Sequence, residues 1–186
     1  MIPSRVPTAD EVVALSQPQL RSAIKIGARL LTGTGEKWAI GGDAGEIMMG
    51  VNVKADRLEI LTTKKGVKEI CDELEEFVTL APADAQKKLG READIEGKML
   101  PVFAKSYYAE LVVDGVKVEI YGDMQLKVGE WEWGDPLDFN PEYTYTFAGR
   151  LPLVPLSLKS ELALGLGWLD RVSLIADAVL QKHHSH

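Results

Sequence analysis

Histidine is missing from nearly the whole chain: His183, His184 and His186 all fall within the last four of its 186 positions. A body without imidazole cannot assemble a hydrolase that uses histidine as its base, whether the nucleophile is serine or cysteine. Nor can it offer histidine ligands to zinc. Cysteine is as scarce, with Cys71 alone, which excludes an internal disulfide framework and any cysteine-rich zinc module. No apolar run approaches the ~18 residues of a membrane span. The opening stretch MIPSRVPTADEV lacks a hydrophobic signal region, and the expectation is a cytoplasmic protein. Basic charge is also in deficit: 21 Lys and Arg against 28 Asp and Glu give a net charge of -7. Nucleic-acid binding is therefore not indicated by bulk charge, and only a local basic patch could supply it.

What is present is a full core. Hydrophobic residues make up 46% of the chain, and its length fits one domain with a small appendage. Thr8 and Glu11 have capping-box spacing and predict a short helix through Ser16. A second helix restarts at Pro18, with Leu20, Ile24, Gly27, Ala28 and Leu31 on one face. Thr32-Gly33-Thr34-Gly35 ends it. Lys37 to Ile40 reads as a short buried strand, Asp43 to Met49 as a short helix, and Arg57 to Thr62 as a second strand. Val67, Ile70, Cys71, Leu74 and Phe77 predict an amphipathic helix over Lys64 to Phe77, with Cys71 in the core.

The segment from Thr79 to Lys98 is polar and has no clear period. Ser106–Val113 and Val116–Tyr121 form a hairpin about Asp114-Gly115, the strongest turn signal in the chain. Trp131 to Pro136 reads as an ordered loop, Tyr143–Phe147 and Leu151–Val154 as strands, and Ser157–Gly165 and Leu169–Leu180 as helices before a frayed histidine tail. The expected organisation is an N-terminal helical segment over 1–35, a mixed domain over 36–156, and C-terminal helices over 157–186, packed as one unit. The fold class is α/β (α+β).

Chemistry is concentrated around Ile40-Gly41-Gly42-Asp43-Ala44-Gly45-Glu46. Two glycines between a strand and a helix let a phosphate approach backbone N–H groups at the positive helix end. About fourteen residues on comes Asp56-Arg57-Leu58-Glu59-Ile60-Leu61-Thr62. With this pair of segments the sequence resembles the nucleotidyltransferase superfamily, which includes CCA-adding enzymes, kanamycin nucleotidyltransferase and DNA polymerase beta. That family shows a glycine turn opening a helix, then a strand with two carboxylates one residue apart. IGGDAGEIMMG has the spacing of the CCA-adding glycine segment, and Leu151-Pro152-Leu153 followed by a helix resembles the segment after the catalytic sheet.

The resemblance implies a nucleotidyltransferase-like mixed sheet flanked by helices. It also implies a nucleoside triphosphate held with Mg²⁺, and nucleotidyl transfer to an unidentified hydroxyl acceptor. Gly41, Gly42 and Asp43 would bind the nucleotide. Glu59, Asp56 and Glu119 would hold metal, with Glu119 also the catalytic base. Carboxylates on alternate strand positions share a face and can hold two Mg²⁺ ions for phosphoryl transfer. The sequence departs from the pattern at one position, where Arg57 stands for the first carboxylate and Asp56 sits one residue early. A non-catalytic relative, acting as a binding or partner module with Arg57 neutralising the metal site, is the alternative reading.

Overall fold

The computed structural model describes residues 18–30, 34–146 and 149–184. The helix expected from Thr8 to Ser16 lies outside these residues.

Among the described residues nine strands and five α-helices follow one another in chain order. Helix α1 spans Pro18–Leu30, β1 Trp38–Gly41, α2 Gly42–Met48, β2 Leu58–Thr62 and α3 Lys64–Glu73, followed by a 3₁₀ turn at Glu75–Phe77. Then come β3 (Val78–Lys88), β4 (Ala93–Ile95), β5 (Lys98–Leu100), β6 (Val102–Val113) and β7 (Val116–Val128). Strands β8 (Glu142–Thr146) and β9 (Gly149–Leu153) precede α4 (Leu156–Gly165) and α5 (Leu169–His184). Seven strands form one mixed sheet in the order β3-β6-β7-β2-β1-β9-β8, and β4 and β5 make a separate small hairpin. The fold class is thus mixed α and β, as expected.

Period-two alternation decides which face of the sheet is core. Leu58, Ile60 and Thr62 of β2 are buried while Glu59 and Leu61 are only partly so. Leu58 and Ile60 pack with Val118 and Ile120 of β7, Leu111 of β6, and Leu30, Val67 and Ile70 from α1 and α3. Gly122 lets α3 come close. A Cβ there would lie 2.6 Å from the Val67 side chain and 2.9 Å from the Thr63 carbonyl oxygen. The Thr63 hydroxyl accepts from the Gly66 N–H and caps α3. The opposite face carries two smaller clusters, one of Ala39, Phe139 and Val154, and one of Ala93, Val102 and Leu166. Between them the sheet is left open as a cleft.

The hairpin turns at Asp114 (φ 51°) and Gly115 (φ 80°), both left-handed as a type I′ turn requires. Its strands run further than the sequence periodicity indicates, because β6 and β7 continue to Val102 and Val128. The unassigned segment from Thr79 pairs with β6 as β3. His183 and His184 are the last residues of α5. Among the described residues no helix is long and apolar enough to cross a membrane.

Candidate functional site

The cleft floor is built by register. Strands β2 and β7 run parallel with Glu59 beside Glu119, and Glu119 lies beside Glu110 of antiparallel β6. Gly41 of β1 pairs with Glu59 on the other side. One row across four strands therefore carries Gly41, Glu59, Glu119 and Glu110. Like charges directly opposite destabilise a sheet, so this row needs cations.

Most of the cations are gathered on Glu119, which is buried at 1% exposure. Arg57 Nη1 donates to its Oε1 at 3.1 Å, Lys117 Nζ lies 3.3 Å from Oε1, and Lys87 Nζ lies 3.3 Å from Oε2. The Tyr121 hydroxyl donates to Oε2 at 2.6 Å. Burial alone would push this carboxyl up. The Tyr121 hydrogen bond and the Lys87, Arg57 and Lys117 charges outweigh it and hold the pKa at about 2. Lys117 also reaches Glu110 at 3.1 Å, and the Tyr108 hydroxyl donates to Glu110.

Glu59 is treated differently. Its carboxylate packs on the glycine turn, so that a Cβ on Gly42 would sit 1.6 Å from Oε2. Gly42 has a φ of +57°, which favours glycine there in its own right. Burial, then the neighbouring Glu119 charge, raises the Glu59 pKa, with Lys159 opposing. Lys159 enters from α4 and donates to the Gly42 carbonyl. Burial lowers its pKa against the pull of Glu46, Glu59 and Asp43. Arg171, from α5, donates to Asp43 at 2.8 Å and also to Glu46. The Nε of Arg171 is buried without a partner among the described residues.

Gly42, Asp43, Asp56, Glu59 and Glu119 thus line one cleft of about 620 Å³. Leaving aside Lys88, whose side chain leaves β3 on the other face of the sheet, its charged walls are five basic (Arg57, Lys87, Arg91, Lys159, Arg171) and five acidic (Asp43, Glu46, Asp56, Glu59, Glu119). Gly41 lies beside it at the end of β1, and the helix that follows has only seven residues. The roof is pinned by Gly167 (φ 73°) and Trp168, whose indole N–H donates to the Glu92 carbonyl.

This chain is similar to a protein from Thermotoga maritima, known from its crystal structure and provisionally assigned as a nucleotidyltransferase. The two superpose with a TM-score of 0.64 at 25% identity, over 87% of this chain and 92% of the other. The fold is nucleotidyltransferase-like. No family model and no curated protein matches the sequence.

Within this nucleotidyltransferase-like fold, the expected metal set of Glu59, Asp56 and Glu119 does not come together as a metal site. Among the described residues no three carboxylate, histidine or cysteine groups are placed to hold an ion. The reasons are physical. Asp56 is turned outward, its side chain 76% exposed, and Arg57 grips it through Nε and Nη2 at 2.9 and 3.2 Å. The oxygens of Glu119 already face three cations and a hydroxyl, so Mg²⁺ would have to displace them. The donor set does not fit the ion, which needs several free carboxylate oxygens near 2.1 Å. For a base role the same contacts count, because both Glu119 oxygens already accept from or pair with Arg57, Lys117, Lys87 and the Tyr121 hydroxyl.

Sequence reasoning missed Lys87, Lys159 and Arg171 as site residues. Lys159 stands 117 positions from Gly42, and Arg171 128 from Asp43. The one local signal was a lone lysine among the leucines of Leu156-Ser157-Leu158-Lys159.

Proposed function

We propose that this chain is a non-catalytic relative of the nucleotidyltransferases whose cleft binds the phosphate-bearing part of a nucleoside triphosphate through fixed cations, without divalent metal. The observation that carries this reading is the Arg57–Glu119 contact at 3.1 Å, supported by Lys87 and Lys117 on the same carboxylate. These cations stand where the family pattern calls for metal ions. A fixed guanidinium or ammonium can meet phosphate oxygens directly.

Lys159 is the principal candidate for the phosphate contact. It is drawn inward by α4 to the glycine turn, and it has a backbone carbonyl as its hydrogen-bond partner where the other cations have carboxylates. Arg91 stands on the rim of the same cleft. In this reading Glu59 and Glu119 hold the cations in position and do not act on a substrate.

The test is calorimetric titration of ATP into the protein in EDTA and again in millimolar Mg²⁺. Binding of similar affinity in both, lost in Lys159→Met, supports the reading. Binding that requires Mg²⁺, or transfer of labelled nucleotide to any hydroxyl acceptor, would replace it with the catalytic one.

A further inference from the structure

From the first turns of α3 outward, the helix-side face of β3, β6 and β7 carries basic and aromatic side chains where a core face would carry aliphatic ones. Facing residues of antiparallel strands share a side of the sheet, so the register arranges them in rows. Lys88, Phe103 and Lys127 make one row, Gln86, Lys105 and Gln125 the next, and Asp84 and Tyr107 the third. From Phe103 to Tyr107 this is about 13 Å along β6 at ~3.3 Å per residue.

Lysines lie over the rings of this face. Lys64 and Lys68 of α3 stand 4.8 and 5.6 Å from the Tyr107 ring. Lys127 stands 5.4 Å from Phe103, and Lys105 and Lys127 stand 4.9 and 5.3 Å from Trp133. Asp84, 4.0 Å from Lys64, is the acid within these rows. Five lysines thus cluster with two acids, Asp84 and Asp123, the second accepting from the Lys64 backbone N–H, on a chain whose net charge is -7. The neighbouring Lys87 points the other way, to Glu119 on the cleft floor, so the two surfaces lie on opposite sides of the sheet.

We propose that this face binds single-stranded nucleic acid. The charge is complementary to a phosphate backbone. Half-buried rings, Phe103 and Tyr107 on the sheet and Trp133 on the loop after β7, with ammonium groups beside them, offer stacking surfaces that any base can use. A duplex would meet the lysines but not the rings, and an acidic polypeptide would have no use for them.

The probe is a fluorescein-labelled twelve-nucleotide oligouridylate, followed by anisotropy on the full chain at low salt. The expected result is saturable binding that weakens steeply with salt and is not displaced by millimolar ATP. Lys105→Glu with Lys127→Glu is expected to weaken it at least tenfold. Trp133→Leu, which keeps apolar bulk but removes the ring, is expected to weaken it roughly fivefold or more by loss of one stacked base. Melting curves establish that the variants fold, and Lys68→Glu with Lys88→Glu, both exposed positions, replaces the first pair if it does not. Absence of binding, displacement by ATP, or indifference to the lysine reversals would overturn the proposal. Equal competition by polyglutamate with no effect of Trp133→Leu would overturn it in favour of an acidic protein partner.

Discussion

All three nitrogens of the Arg57 guanidinium are committed to carboxylates: Nε and Nη2 to Asp56, and Nη1 to Oε1 of the buried Glu119 at 3.1 Å. Asp56 thereby orients the arginine, and the arginine occupies the carboxylate that the family pattern would give to a metal. Hydrogen bonding to Asp56 keeps Arg57 charged despite partial burial. An ion pair with one member fully buried is strongly sensitive to loss of its partner.

Glu59 and Glu119 lie side by side but should respond oppositely to neutralisation. The Glu119 carboxyl is held at about 2, below its ordinary value near 4.5. Its contribution to stability is present above pH 4.5 and is lost as pH falls toward 2. Glu119→Gln is expected to destabilise the protein by about 1–3 kcal/mol at pH 7 and to flatten the acid limb of its stability profile. Glu59 is raised by burial and by Glu119, so its charged form is disfavoured in the folded state. Stability falls as pH rises through the carboxyl range, and Glu59→Gln is expected to raise it at pH 7. Denaturant midpoints at pH 3, 5 and 7 check both signs.

Gly122 and Gly42 separate two kinds of glycine requirement. At Gly122 the neighbours of an added Cβ include backbone, the Thr63 carbonyl oxygen at 2.9 Å and Lys64 Cα at 3.0 Å, so α3 would have to move off the sheet. Gly122→Ala is expected to cost roughly 2–4 kcal/mol, at the upper end of overpacking effects. At Gly42 the clash is with the far end of Glu59, which can swing aside, leaving mainly the left-handed backbone penalty of about 1–2 kcal/mol. Urea unfolding of both variants should rank them in that order, and Glu59→Ala should relieve Gly42→Ala only in part.

Cys71 is buried on α3 and its pKa is pushed up to about 11, by burial first and then by Asp72. Thiolate is the reactive form. Iodoacetamide at pH 8 is expected to leave the native protein unmodified and to label it fully in denaturant. Rapid native labelling would mean that α3 opens.

The central architecture was legible because it rests on local signals. Asp114-Gly115 marks a hairpin by its own backbone requirement, and Leu58, Ile60 and Thr62 mark a strand with one buried face. The outer parts of β3, β6 and β7 were not. There Lys87 and Lys88 point to opposite sides of the sheet and are both polar, so the alternation that betrays a strand is absent. For the same reason the patch of Lys88, Lys105 and Lys127 forms only when three separate segments pair. The glycine turn and Glu59 could be placed from sequence. The cations that accompany them could not, because Lys159 and Arg171 arrive from helices more than a hundred residues away.

Arg57→Asp puts a carboxylate at the family's first position and removes the guanidinium from Glu119. Lys87 and Lys117 still face Glu119 in this variant, so at best weak Mn²⁺ binding, in the millimolar range (~4 kcal/mol), is expected. Paramagnetic relaxation of water protons during a Mn²⁺ titration would register it.

The same titration on the wild-type protein tests the central claim most directly. With Arg57, Lys87 and Lys117 on Glu119, no saturable Mn²⁺ binding is expected below millimolar concentration, with or without ATP beyond what ATP itself binds. A stoichiometric site of micromolar affinity, lost in Glu119→Gln, would contradict the account.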